Sequence, residues 1–162
     1  MIKPEFIELI KKVSAEYGIE PAFLGAIVMN ESSGRQYITK FEPEFEWTFE
    51  VLKFAKKNSI PFEVEHQRQS TSYGLCQVMG SVGREFGITG NIFELFDPET
   101  NLETACKLLK RLKQKHKTEP DLFSAYNAGS VKFIKPGVYK NQKYVDDALA
   151  NKEVFKKQYL GE

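Results

Sequence analysis

Apolar residues recur at three- and four-residue spacing along most of this chain, and no stretch alternates apolar with polar as a half-buried strand would. The first segment places Phe6, Leu9, Ile10, Val13 and Tyr17 on one face and closes at Gly18, a residue that readily ends a helix. A second helix is predicted from Pro21, a favoured first-turn residue. Its apolar face reads Leu24, Ile27 and Val28, and its exit, from Asn30 to Gly34, is rich in breakers. The plainest helix spans Pro98 to Lys115, where Leu102, Ala105, Cys106, Leu109 and Leu112 form the stripe and basic residues crowd the last turn. Further helices are expected over residues 44–57, 75–86 and 121–128, and a last one carries Val145, Ala148, Leu149 and Phe155. Residues 63–70 read as a polar loop, and 132–143, with Pro136-Gly137, as a turn-rich one. At 162 residues the pattern predicts a mainly α single domain over 1–162, of about six to eight helices.

Several functions are excluded by composition. With 41% hydrophobic and 28% charged residues the chain can bury a core. Lys plus Arg is 23 and Asp plus Glu 22, a net charge of +1 that argues against nucleic-acid binding. The basic run Lys107, Lys110, Arg111, Lys113, Lys115 and Lys117 is read as a solvated helix face. The apolar stretch from Phe23 to Met29 is far shorter than the about 20 residues needed to span a bilayer. Met1 leads straight into a segment containing Glu5 and Glu8, with no signal-peptide pattern. Cys76 and Cys106 lie 30 apart and His66 and His116 lie 50 apart, so neither a disulfide framework nor a metal site is expected, and no cofactor is implied. The cysteines are expected as buried thiols, a bridge requiring Cα atoms within about 7 Å.

Three places carry chemistry. Glu31 follows Leu24, Ile27 and Val28 by seven, four and three positions, so its carboxyl falls on the apolar face at a helix end. Burial there favours the protonated acid, the form a general acid needs. The plain alternative is a frayed end turned to solvent. The run from Ser72 to Met79 reads as a turn feeding a helix; Gln77 offers a donor and an acceptor suited to an acetamido group, or Ser72 is simply a helix cap. In Ala125-Tyr126-Asn127-Ala128-Gly129, a Tyr hydroxyl is available to hold a carboxyl, or Tyr126 is a core residue beside a helix end.

In this order, Glu31-Ser32, Gly74-Leu75-Cys76-Gln77, Ala125-Tyr126-Asn127-Ala128-Gly129 and Tyr144-Val145 resemble the motifs of the soluble lytic transglycosylase (SLT) domain family, over roughly residues 5–150. The resemblance implies a lysozyme-like fold with a substrate groove, and cleavage of peptidoglycan glycan strands. Glu31 matches the family's single catalytic acid. Gln77 and Met79 match residues near the N-acetyl group, and Tyr126 matches the tyrosine that hydrogen-bonds the carboxyl. Asn127 and Tyr144 match groove or support positions, and Ser72 lies near a family serine. Cys76 stands where the family usually has Met. Gln77 follows Glu31 by 46 positions, where many members have about half that, so residues 35–71 form a longer-than-usual segment. Its Tyr37, Phe41, Phe45, Trp47 and Phe49 are read either as a lid or groove wall for sugar rings, or as a satellite helix with its own apolar underside.

The implied reaction needs one carboxylate. The acid protonates the bond between N-acetylmuramic acid and N-acetylglucosamine, and then, as base, takes the C6 hydroxyl proton while that oxygen closes on C1 to give a 1,6-anhydro sugar. Two alternatives stand beside it. A muramidase would need a second acid, with Glu42, Glu44, Glu46 and Asp97 as candidates, although Asp97 before Pro98 is more simply a helix cap. An inactive glycan-binding or assembly protein would keep only the shell. The expected partner is the glycan strand, and the chain is expected to be a monomer acting on the wall from the periplasm or exterior. A phage or mobile-element product released by lysis fits this picture, as does a bacterial enzyme without its leader.

Overall fold

Eight α-helices dominate the computed structural model, which describes residues 1–162. The backbone clusters into two compact units: Met1–Gly34 with Cys106–Glu162, and Arg35–Ala105. The second opens where the longer-than-usual segment opens.

The first unit contains α1 (Pro4–Tyr17), α2 (Pro21–Ser32), α7 (Glu119–Ala128) and α8 (Gln142–Phe155). It also takes the last part of α6 (Pro98–Lys115). Proline begins both α1 and α2, and Gly18, left-handed at φ 65°, ends α1 as expected. α2 is not amphipathic: every residue from Ala22 to Val28 is buried, so the face read from Leu24, Ile27 and Val28 is part of a helix covered all round. α2 packs chiefly on α8, and Phe23 stacks on Phe123 of α7 with ring centroids 4.0 Å apart. Lys152 of α8 sits between Glu20 (2.6 Å) and Glu119 (2.5 Å). Burial works against its charge, but the bonds and charges of both carboxylates outweigh that and raise its pKa. Glu20 is held below its ordinary value because Lys152 and Lys156 outweigh its own desolvation.

The close approach of α2 to α8 depends on one glycine. A Cβ on Gly25 would lie 2.3 Å from the Phe155 ring, which is itself fully buried. Gly25→Ala is therefore expected to destabilise the protein by about 1–3 kcal/mol, the range for overpacking a filled core. Urea unfolding checks this; an unchanged midpoint would mean that the Phe155 ring has room to move aside.

The second unit holds β1 (Thr39–Phe41), α3 (Val51–Lys57), α4 (Phe62–Gln69), β2 (Thr71–Tyr73), β3 (Val78–Met79) and α5 (Gly80–Glu85), then a 3-10 turn at Ile92–Phe96. The strands form an antiparallel sheet in the order β1-β2-β3, with Thr39 opposite Tyr73 and Ser72 opposite Met79. Asp97 Oδ1 accepts from Thr100 N–H at 2.8 Å, the capping role expected of it at the start of α6.

Four local readings are corrected. Residues 75–86 are not one helix: Gly74 (φ 74°) and Gln77 (φ 48°) turn the chain between β2 and β3, and only α5 is helical. The helix expected over 44–57 is confined to α3. Residues 63–70, read as a loop, are largely α4, whose buried residues are the polar Glu65 and Gln69. Residues 132–143 hold a hairpin, β4 (Phe133–Lys135) with β5 (Val138–Tyr139), ahead of α8. The chain thus carries five short strands where none is legible as an alternating run. Both cysteines are buried thiols.

Candidate active site

Glu31 occupies the last turn of α2, where the helix leaves the core, and is half-buried there. Its Oε1 accepts a hydrogen bond from the Tyr144 hydroxyl at 2.6 Å. Tyr144 lies in the first turn of α8, and α8 is tied to α2 at this point by a second link. Asn30 Nδ2 donates to the Tyr144 carbonyl (3.2 Å), while Asn151, further along α8, donates to Asn30 Oδ1. The carboxyl and the phenol are thus held in register by the two helices that pack most closely in this unit. A phenol bonded to one carboxyl oxygen sets the plane of the group, and so the direction in which it can give or take a proton.

Tyr126 and Asn127 lie at the end of α7, the first half-buried and the second exposed. Asn141, just ahead of α8, binds this end together. It accepts from the Ser124 hydroxyl (2.8 Å), and its Nδ2 donates to the Ser124 carbonyl (3.1 Å) and to Asn127 Oδ1 (2.9 Å). The start of α8 is therefore anchored to α7 on one side and to α2 on the other. The hairpin before it is pinned by Tyr139, whose hydroxyl donates to Asp121 at 2.6 Å. Burial and that bond push the Tyr139 phenol up to about 12.

Ser72, Gln77 and Met79 belong to the second unit. Ser72, buried on β2, faces half-buried Met79 across the ladder and donates to Gln77 Oε1 at 2.8 Å. Gln77 Nε2 donates to the carbonyls of Ile38 and Gly74, both at 3.0 Å. Its two amide hydrogens are thus committed to the turn, and one lone pair of Oε1 remains for a ligand N–H. Buried Asn101 holds the same turn from α6. It donates to the Tyr73 and Leu95 carbonyls and accepts from Cys76 N–H, each at 2.8 Å. Gly74 is required beneath it, since a Cβ there would lie 2.6 Å from the Asn101 amide.

Residues 8–148 match the transglycosylase SLT domain. The chain belongs to this family. A search of curated proteins finds no match. The mainly α fold is that expected of an SLT domain in the lysozyme-like superfamily. The family's activity is lytic transglycosylation of peptidoglycan, so peptidoglycan is the implied partner and the cell wall the place of action. No helix is long and apolar enough to cross a membrane.

Sequence reasoning missed the asparagines that position this SLT domain's side chains. Asn30 is the one with a visible signal, a polar residue directly before Glu31 at the end of a buried helix. Asn101 and Asn141 carry none, because their partners, from Tyr73, Cys76 and Leu95 for the one and from Ser124 and Asn127 for the other, are brought to them only by the fold.

Proposed function

We propose that this SLT domain cleaves the bond between N-acetylmuramic acid and N-acetylglucosamine by lytic transglycosylation, with Glu31 acting first as acid and then as base. The observation that carries the reading is the Glu31 carboxyl, half-buried at the end of a fully enclosed helix and held by the Tyr144 phenol at 2.6 Å. Glu31 protonates the glycosidic oxygen, the bond from C1 to that oxygen breaks, and the N-acetylglucosamine end leaves as an alcohol. The substrate's acetamido oxygen supports the positive charge at C1. The carboxylate then removes the C6 hydroxyl proton as O6 bonds to C1, which restores the protonated acid. The nucleophile is already tethered, so proximity supplies much of the rate.

In this reading Tyr144 orients the carboxyl, and Gln77 accepts from the acetamido N–H through its remaining lone pair. Tyr126, at the end of α7 beside Asn127, which Asn141 holds, is a second group to orient the carboxyl, while Met79 and Ser72 shape the turn. A hydrolytic route would need a second acid. Two of its candidates are already engaged, Asp97 in capping α6 and Glu42 in an ion pair with Lys40 at 2.6 Å. The chain is proposed to act as a monomer, delivered to the wall by lysis, with a phage particle, or by export.

Mass spectrometry of digested peptidoglycan tests the reading. Anhydro-muramyl ends are expected, and reducing ends alone would replace it with a muramidase. Tyr144→Phe removes the hydroxyl that donates to Glu31, so kcat is expected to fall about ten- to a hundredfold with KM little changed. An unchanged kcat would remove Tyr144 from the positioning of the acid.

A further inference from the structure

Residues 42–49 form an irregular loop whose two ends are held on neighbouring residues. Glu42 N–H donates to the Ser70 carbonyl at 2.9 Å. At the other end Phe49 donates its N–H to Gln69 Oε1 (2.7 Å) and accepts from Gln69 Nε2 (2.9 Å). Gln69 is fully buried and is itself fixed by Glu65 Oε1 at 2.8 Å. A bond from Phe45 N–H to the Glu42 carbonyl (3.0 Å) tightens the bend. The loop is thus stiffened from behind while its middle stays in water. Trp47, the only tryptophan in the chain, is 79% exposed, and Glu44 and Glu46 beside it are exposed too. Glu42 and Glu50 are paired with Lys40 and Lys53.

A large flat ring left in water on a braced loop gains nothing for the free protein; its burial would be gained on binding. Carboxylates alternate with rings through Glu44, Phe45, Glu46 and Trp47, which breaks any continuous apolar patch of the kind a partner helix or a bilayer would cover. The same carboxylates repel a polyanion. What fits is an uncharged, hydroxyl-rich ring: its C–H face lies on the indole and its hydroxyls donate to the carboxylates. We propose that Trp47, with Glu44 and Glu46, forms a stacking platform for an N-acetylamino-sugar ring of the glycan strand, with no part in proton transfer. The proposal rests on the glycan-cleaving reading for its substrate class.

Because Trp47 is the sole tryptophan, its emission reports the platform directly. The full chain carrying Glu31→Gln, titrated with N-acetylglucosamine pentamer, is expected to show a saturable shift of emission to shorter wavelength. Trp47→Ala, which alters an exposed side chain and should leave the far-UV circular dichroism unchanged, is expected to weaken pentamer binding by roughly fivefold in calorimetry. In the otherwise unaltered chain it should raise KM for peptidoglycan more than it lowers kcat, with Trp47→Phe recovering part of the loss. A silent indole at pentamer concentrations that saturate calorimetry would overturn the platform, as would unchanged affinity in Trp47→Ala, or a response to free stem peptide alone. Anhydro products with a silent indole would sink the platform and leave the enzyme reading standing. A shifted indole without anhydro products would do the reverse.

Discussion

Glu31→Gln is expected to fold as the parent does and to release anhydro-muropeptides more slowly by a factor on the order of 10³ or more. The size follows from the double duty proposed for the group. The amide cannot deliver a proton to the leaving oxygen, and it cannot take one from the C6 hydroxyl. Stability should hardly move, within about 0.5 kcal/mol, because Glu31 is only half-buried and an amide oxygen can still accept from Tyr144. The measurement is the rate of anhydro-end formation from purified wall, beside a urea titration of both proteins. Activity within tenfold of the parent, at unchanged stability, would remove Glu31 from the chemistry and require another acid in its place.

Glu31 shows what a sequence can and cannot carry. The helix ending there was legible from Pro21 and the breakers after Asn30. The supposed apolar face was not a face, since Ala22 to Val28 are buried on every side. What marks Glu31 is its position where a fully enclosed helix emerges, together with the order of motifs that follow. Tyr144 was legible only as a support position, and its direct bond to the carboxyl comes from the packing of α8 on α2, which no local spacing encodes. Around Gln77 the apolar residues Leu75, Val78 and Met79 imitate helical periodicity by chance. The chain turns instead, because Gly74 adopts a positive φ and Gln77, forced there too, recovers its amide bonds from Ile38 and Gly74. Hydrophobic periodicity failed most completely at α4. Residues 63–70 read as a polar loop because the side chains this helix buries, Glu65 and Gln69, are polar.

That polar interior should make Arg84→Met strongly destabilising to the second unit. Arg84 and Glu65 have no exposed side-chain surface. Arg84 Nε meets Glu65 Oε1 at 2.7 Å and Nη2 meets Oε2 at 2.9 Å. Arg84 Nη1 also donates to the carbonyls of Ile88 (2.9 Å) and Gly90 (2.7 Å), and the guanidinium lies 4.7 Å over the Phe54 ring. Removing the cation leaves a buried carboxylate and two carbonyls without it, and the expected cost is about 3–5 kcal/mol. The double variant Glu65→Leu with Arg84→Met should lose much less than the two single changes added together, since the orphaned charge is gone; the shortfall read from a urea-based cycle measures the coupling. A single-variant loss below about 1 kcal/mol would show that water reaches the site and screens it. The consequence extends past stability. Glu65 fixes Gln69, and Gln69 holds Phe49, so Arg84→Met should loosen the loop that presents Trp47 even where the protein stays folded. The anisotropy of Trp47 emission should then fall, since the already exposed ring turns more freely on a loosened loop, which ties a buried ion pair to the exposed ring it supports.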